Sequence, residues 1–245
     1  MDNKNLKLIA FDLDGTLTQH KSRLDEKNKR VLDLLSKKYK LLMVGAGSCR
    51  RIFEQMGRYP IDIIGNYGFQ YAKYNPDTKD IDIVTDVKLP VDRESVSARV
   101  QSLREKYAFT EYKGDSVQFH DSGCITFAIL GTEADLADKL AFDPTREKRR
   151  KIFSDVKKVF SDYTVFVGGS SSFDMAPYPY DKAYALSEYC KEAGISHSEV
   201  LFVGDDYGEG GNDESVYLSD FNFLKIDDYT TLEDKFEFLL KEIKA

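Results

Sequence analysis

Residues 11–18, FDLDGTLT, place two carboxylates, Asp12 and Asp14, at the end of the apolar run Leu8-Ile9-Ala10-Phe11. In an extended segment, side chains two apart share a face, so the pair is expected side by side. Like charges held that way repel unless something cationic or a shared proton intervenes. The stretch therefore asks for a metal ion, a proton, or a partner elsewhere in the chain.

Outward from this point the sequence alternates between strand and helix signals. After Leu6–Phe11, the residues Leu24, Val31, Leu32 and Leu35 recur at helical spacing. A second buried run, Leu41–Val44, ends at the small-residue turn Gly45-Ala46-Gly47-Ser48 before another helix-like stretch. This order predicts an α/β fold with a parallel sheet covered by helices. The middle of the chain differs. A polar helix near 92–107 leads into DSVQFHDSGCITFAIL, which alternates like paired antiparallel strands. Residues 86–176 are thus expected to form an inserted α+β cap. Residues 1–85 and 177–245 should build the Rossmann-like core, whose strand EVLFVGDD resumes near residue 199.

That last strand carries a second acidic cluster, VGDDYGEGGND at 203–213, supplying Asp205, Asp206, Asn212 and Asp213. Ligands of open parallel sheets collect beyond the carboxyl ends of the strands. Two acidic strand ends brought together would make an oxygen-rich pocket suited to Mg²⁺. A calcium loop starting at Asp12 is excluded, because such a loop needs glycine at its sixth position and glutamate at its twelfth. Here glycine comes fourth and the twelfth residue is Arg23. Taken alone, each acidic cluster also reads as a turn or a solvated loop.

The chain has 245 residues, 42% hydrophobic and 31% charged, with a net charge of −7. That balance argues against a nucleic-acid partner, which would favour a basic stripe. Cys49, Cys124 and Cys190 are dispersed and odd in number, as for reduced thiols. No apolar run approaches the roughly 20 residues a bilayer requires, and the opening MDNKNLKLIAFDLD, which lacks a long apolar stretch, is not expected to act as a signal peptide. A cytoplasmic protein without membrane contacts is expected.

FDLDGTLT resembles the first motif, D-x-D-x-T, of the haloacid dehalogenase superfamily. With VGAGS at 44–48, GGSSSFDMAPYPYDK at 168–182 and FVGDDYGEGGND at 202–213, the chain closely resembles the eukaryotic-type phosphomannomutases and their capped sugar-phosphatase relatives. The resemblance implies an Mg²⁺-dependent enzyme acting on a small phosphorylated metabolite, most simply a sugar phosphate, and is compatible with a homodimer. It makes Asp12 the nucleophile that forms an aspartyl-phosphate. Asp14 becomes the general acid and base, its backbone carbonyl a metal ligand. Ser48, with the turn amides of Gly47 and its neighbours, and Lys182 would hold the phosphoryl oxygens, Lys182 also offering its charge to the Asp12 carboxylate. Asp12 and Asp205 would share Mg²⁺, supported by Asn212 and Asp213. Lys21 falls where the mutases carry a substrate-binding arginine, and Ser172 and Asp174 match positions that contact sugar hydroxyls. On residue chemistry alone, Ser48 reads equally as a helix cap, Lys182 as a surface lysine, and Ser172 and Asp174 as a polar strand face.

One departure bears on the reaction. The mutases grip a distal phosphate with cap arginines, yet the matching stretch, 118–134, contains none. Arg146, Arg149 and Arg150 lie downstream and are expected on a solvated helix face. Without a guanidinium clamp, water would take the phosphoryl group and the enzyme would be a phosphatase. A hexose phosphomutase is the alternative. A silent phosphosugar-binding module would have no need of both nucleophile and acid.

Overall fold

The run Leu8–Phe11 forms β1 with every residue buried, the pattern of a strand covered on both faces. A computed structural model describes residues 5–244. In chain order β1 is followed by α1 (Glu26–Leu35), β2 (Lys40–Val44), α2 (Cys49–Gln55), β3 (Asp62–Gly65), β4 (Gln70–Asn75) and β5 (Asp80–Asp86). Next come α3 (Arg93–Lys106), β6 (Val117–Phe119), β7 (Ile125–Ala128), α4 (Leu136–Phe142), α5 (Glu147–Val159), β8 (Tyr163–Phe166) and β9 (Ser172–Pro177). The chain closes with α6 (Lys182–Ala193), β10 (Val200–Gly204), α7 (Glu214–Tyr217), β11 (Asn222–Lys225), α8 (Leu232–Lys235) and α9 (Glu237–Lys244).

These elements divide into two compact units: Met1–Asp86, Lys182–Tyr207 and Asp213–Ala245 in one, Val87–Asp181 and Gly208–Asn212 in the other. Residues 177–181 and the short segment Gly208–Asn212 go with the second unit.

The first unit is a seven-stranded sheet in the order β11-β10-β1-β2-β3-β4-β5. It is parallel from β11 to β3, and the hairpin β4–β5 adds an antiparallel edge. Strand alternation sends side chains to both faces. Ile9 and Phe11 pack with Leu32 and Leu35 of α1, Phe53 of α2 and Leu239 of α9. Leu8 and Ala10 pack with Leu186 and Cys190 of α6. Phe11 lies opposite Val203 in the β1–β10 register, so the next residues of both strands leave the sheet together. This parallel register brings the two acidic strand ends to one edge. Among the described residues, no helix is long and apolar enough to cross a membrane.

The second unit is a four-stranded antiparallel sheet, β6-β7-β9-β8, with Val96 and Val100 of α3 and Phe153 and Val156 of α5 in its core. Gln118, Thr126 and Asp174 stand opposite one another across β6, β7 and β9. Thr126 donates to Asp174 Oδ1 at 2.9 Å.

Here one expectation is corrected. Arg149 is not on a solvated face but 1% exposed. Its Nε donates to Asp143 Oδ2 at 3.0 Å, and its Nη1 donates to the carbonyls of Gly168, Gly169 and Ser172. A buried guanidinium is tolerable only when its donors are satisfied, and the Gly168–Ser172 turn supplies those acceptors.

Candidate active site

Asp12 and Asp14 each find a cation, but not the same one. Asp12 follows β1 directly, its amide donating to the Val203 carbonyl at 2.9 Å. Its Oδ1 accepts from Lys182 Nζ at 2.6 Å, and the same ammonium reaches Asp213 Oδ1 at 2.7 Å. Lys182 is 0% exposed, which removes the surface-lysine reading. Its place at the start of α6 delivers it beneath the strand ends.

Asp14 is held elsewhere. Its Oδ1 accepts from the Lys21 amide and from Gln55 Nε2, both at 2.7 Å, and its Oδ2 accepts from Arg51 Nη2 at 3.1 Å. The expectation that Asp12 and Asp14 present one face to a shared counterion therefore gives way. Strand β1 ends at Phe11, and the chain turns through Gly15, where φ is +98°. Repulsion is relieved by two separate partners from elsewhere in the chain.

Asp205 follows β10. Its Oδ1 accepts from Thr16 Oγ1 at 2.8 Å, and a Cβ on Gly15 would lie 2.3 Å from its Oδ2. Only glycine allows both that φ and that approach. Asp213 accepts the amides of Asp205 and Asp206 on its Oδ2, at 3.1 and 3.0 Å. A Cβ on Gly204 would sit 2.5 Å from the same oxygen. Asp213 thus braces the loop as well as Lys182.

Ligand oxygens of Asp12, Asp205 and Asp213 lie within 4.8 Å of one another. Three carboxylates around one ammonium leave excess negative charge in a buried place. Burial pushes the Asp12 carboxyl well above its usual range, Lys182 opposes that, and Asp213 and Asp205 add to it. Burial also pushes Asp205 up to about 6, with the Thr16 hydroxyl opposing and Asp213 adding. Lys182 is held protonated above the ordinary lysine range, because Asp12 and Asp213 outweigh its own burial. A cluster of hard oxygen donors with unneutralised charge fits a divalent cation such as Mg²⁺. Asp14 behaves oppositely. Burial would raise it, but Gln55, the Lys21 amide and Arg51 together hold its carboxyl below the usual range.

The other predicted residues are distributed as follows. Ser48 is the N-cap of α2, its Oγ accepting from the Arg51 amide at 3.3 Å. Gly47 offers its carbonyl to the Asn66 amide. Lys21 contributes its backbone, in a left-handed conformation with φ +58°. Ser172, Asp174 and Asn212 belong to the second unit, with the Ser172 hydroxyl donating to the Gly168 carbonyl at 3.2 Å. Sequence reading missed Thr16, Arg51 and Gln55. Arg51 and Gln55 stand four apart on α2, and that spacing was the available signal.

A family model described as eukaryotic phosphomannomutase matches residues 28–225. The Saccharomyces cerevisiae phosphomannomutase is 25% identical over 232 residues, covering 87% of this chain and 85% of that protein. The Encephalitozoon cuniculi phosphomannomutase is 26% identical over 220 residues, with 86% and 84% covered. Among solved structures, a truncated Plasmodium falciparum IMP-nucleotidase gives a TM-score of 0.62 at 18% identity, covering 98% of this chain and 71% of its own. A Streptococcus mutans protein gives 0.63 at 16%, covering 96% and 99%. At those identities the structural likeness speaks for the fold alone.

Proposed function

Because the chain belongs to the eukaryotic phosphomannomutase family of the haloacid dehalogenase superfamily, we propose that it is an Mg²⁺-dependent phosphotransferase of hexose phosphates. Asp12 would attack phosphorus, and the reaction would isomerise the sugar phosphate as the relatives' names suggest. The observation that carries this reading is the buried Asp12 carboxylate, fixed by Lys182 within the cluster that includes Asp205. Asp12 and Asp205 would hold Mg²⁺, which would supply charge neutralisation for the incoming phosphoryl group. In the first half-reaction Asp14, ionised in the free protein, would take the proton of a sugar hydroxyl as that oxygen bonds to phosphorus and the Asp12–phosphorus bond of an enzyme primed by a hexose bisphosphate breaks. In the second, the Asp12 oxygen would bond to the phosphorus at the other position as that sugar oxygen leaves with the proton Asp14 has taken up. Ser48, Gly47 and Lys21 would line the phosphoryl side.

Hydrolysis is a second reading, favoured by what three of the second unit's six arginines already hold. Arg149 is spent on Asp143 and main-chain carbonyls. Arg104 donates to the carbonyls of Phe109, Ala128 and Ile129, and Arg99 to Asp162. Arg104 and Arg149 are buried, so their guanidiniums are committed to those carbonyls and not to a second phosphate. Phosphorus NMR on a hexose 1-phosphate, with Mg²⁺ and a trace of hexose 1,6-bisphosphate, separates the two. Hexose 6-phosphate should accumulate faster than inorganic phosphate. Inorganic phosphate alone, indifferent to the bisphosphate, would replace isomerisation by hydrolysis. If no hexose phosphate is consumed at all, the substrate class is wrong.

Metal binding has its own signature. Asp205 has a folded-state pKa of about 6, above the ordinary carboxylate value. Its favourable contribution is present below about pH 4 and is lost as pH rises through 6, so the metal-free fold is penalised at neutral pH. Saturating Mg²⁺ should therefore raise the melting temperature by about 5 °C or more at pH 7.5. At pH 5 the shift should shrink, since the ion must first displace a proton. Thermal melts with Mg²⁺ or EDTA at both pH values check this. Equal shifts would count against the cluster as the binding site.

A further inference from the structure

We propose that Arg51 is a substrate-anion contact that changes partner, holding Asp14 in the free protein and moving to the phosphoryl oxygens of a bound phosphate monoester. The inference rests on the reading of Asp14 as the group that meets the leaving oxygen. A guanidinium touching Asp14 is then one side-chain rotation from the non-bridging oxygens on the same phosphorus.

Three features of the first unit support an exchange rather than a fixed brace. Asp14 does not depend on Arg51 for its place, because its Oδ1 already accepts from the Lys21 amide and Gln55 at 2.7 Å. The Arg51 contact, on Oδ2, is the longest of the three at 3.1 Å. The arginine side chain is also 45% exposed against 15% for Asp14. An ion pair with so exposed a partner is weakly held. A dianionic phosphoryl group, able to take two parallel N–H donors, is a stronger acceptor for a guanidinium than one carboxylate oxygen.

The path is also prepared. Arg51 lies across the bare backbone of Gly47, where an added Cβ would stand 2.4 Å from its Nε and 2.7 Å from its Nη2. Any side chain at 47 would displace the guanidinium. Arg51 and Gln55 divide the work along one face of α2: Gln55 keeps Asp14 in position, and Arg51 is available to leave. The family's distal-phosphate arginines are expected on the cap, so this would be a separate anion contact, carried by the core.

Orthovanadate, a phosphate mimic, tests the contact without turnover. Its affinity for the full-length protein in Mg²⁺ buffer would be measured by calorimetry for the wild type, Arg51→Gln, Arg51→Lys and Gly47→Ala. Arg51→Gln should weaken vanadate by roughly tenfold or more, the loss expected for a charge-assisted hydrogen bond. Arg51→Lys should recover only part of the affinity, since an ammonium lacks the planar fork. Gly47→Ala should weaken vanadate while leaving Arg51 in the chain. Where a hexose phosphate is turned over, its KM should rise in Arg51→Gln by a similar factor with kcat little changed. Unaltered vanadate affinity in Arg51→Gln, or no vanadate binding by the wild type, overturns the proposal. So does a lowered kcat at constant KM, the mark of a residue that only positions Asp14. Failure of the wild type to consume any hexose phosphate while vanadate still responds to Arg51 would sink the proposed substrate class and uphold the anion contact.

Discussion

Asp12→Asn is expected to lower turnover by about 10⁴-fold or more, the scale on which enzymes lose rate when a covalent nucleophile is removed. The amide is nearly isosteric with the carboxylate but cannot form the acyl phosphate. Stability should move the other way. Asp12 is buried, and its carboxyl is pushed up by burial and by Asp213 and Asp205. A carboxylate whose folded-state pKa is raised costs the fold stability at neutral pH. Removing that charge leaves Lys182 with Asp213 at 2.7 Å, so the ammonium keeps a partner. In EDTA at pH 7.5 the variant should melt at or above the wild-type temperature. In Mg²⁺ it should lose much of the ion-induced gain. Initial rates and paired melts check both halves. Near-normal turnover would refute the aspartyl-phosphate route, and a large loss of stability in EDTA would refute the charge argument.

The sequence made the core legible because its signals are local. Leu8–Phe11 and Val200–Val203 are branched, apolar and followed by acids, and a parallel sheet brings such strand ends together without further instruction. The carboxylates were legible as a group for the same reason. Their individual partners were not legible in local pattern, because partner choice depends on residues far apart in the chain, and only the family resemblance paired Lys182 with Asp12. Lys182 lies 170 positions from Asp12, in the unremarkable stretch YDKAY, and only packing of α6 against the sheet shows that it is buried. Arg149 misled in the opposite direction. Within EKRRKIFSDVKKV every cation looks solvated, and nothing local announces that Asp143 and the Gly168–Ser172 carbonyls will enclose one of them. Asp14 shows the limit of periodicity itself. Two-residue spacing predicts a common face only while the strand continues, and β1 stops before either acid.

Lys182→Met should cost about 3–5 kcal/mol of stability, the usual penalty for leaving buried charges without their partner. For a chain of this size, that amounts to a fall of roughly 10 °C in melting temperature. The lysine serves two carboxylates, Asp12 at 2.6 Å and Asp213 at 2.7 Å, with no exposure of its own. Removing it leaves both acids buried without their counterion, with the half-buried Asp205 beside them. Because Lys182 is held protonated above the ordinary lysine range, this contribution should be present from neutral pH up to about 10, fading at alkaline pH as lysine itself titrates and at acid pH as the raised Asp12 and Asp205 carboxyls take up protons. The loss can be assigned by adding charge back or taking it away. Mg²⁺ should protect Lys182→Met more than the wild type, since the ion then neutralises carboxylates that have no other counterion. Combining Lys182→Met with Asp12→Asn and Asp213→Asn should restore much of the stability, because an uncharged cluster carries little desolvation cost. Turnover should remain lost in that triple variant, which keeps the packing but has no nucleophile. If Lys182→Met melted like the wild type in EDTA, the ammonium would not be the counterion of this site. If the triple variant were no more stable than the single one, the penalty would come from lost side-chain packing in the core, not from uncompensated charge.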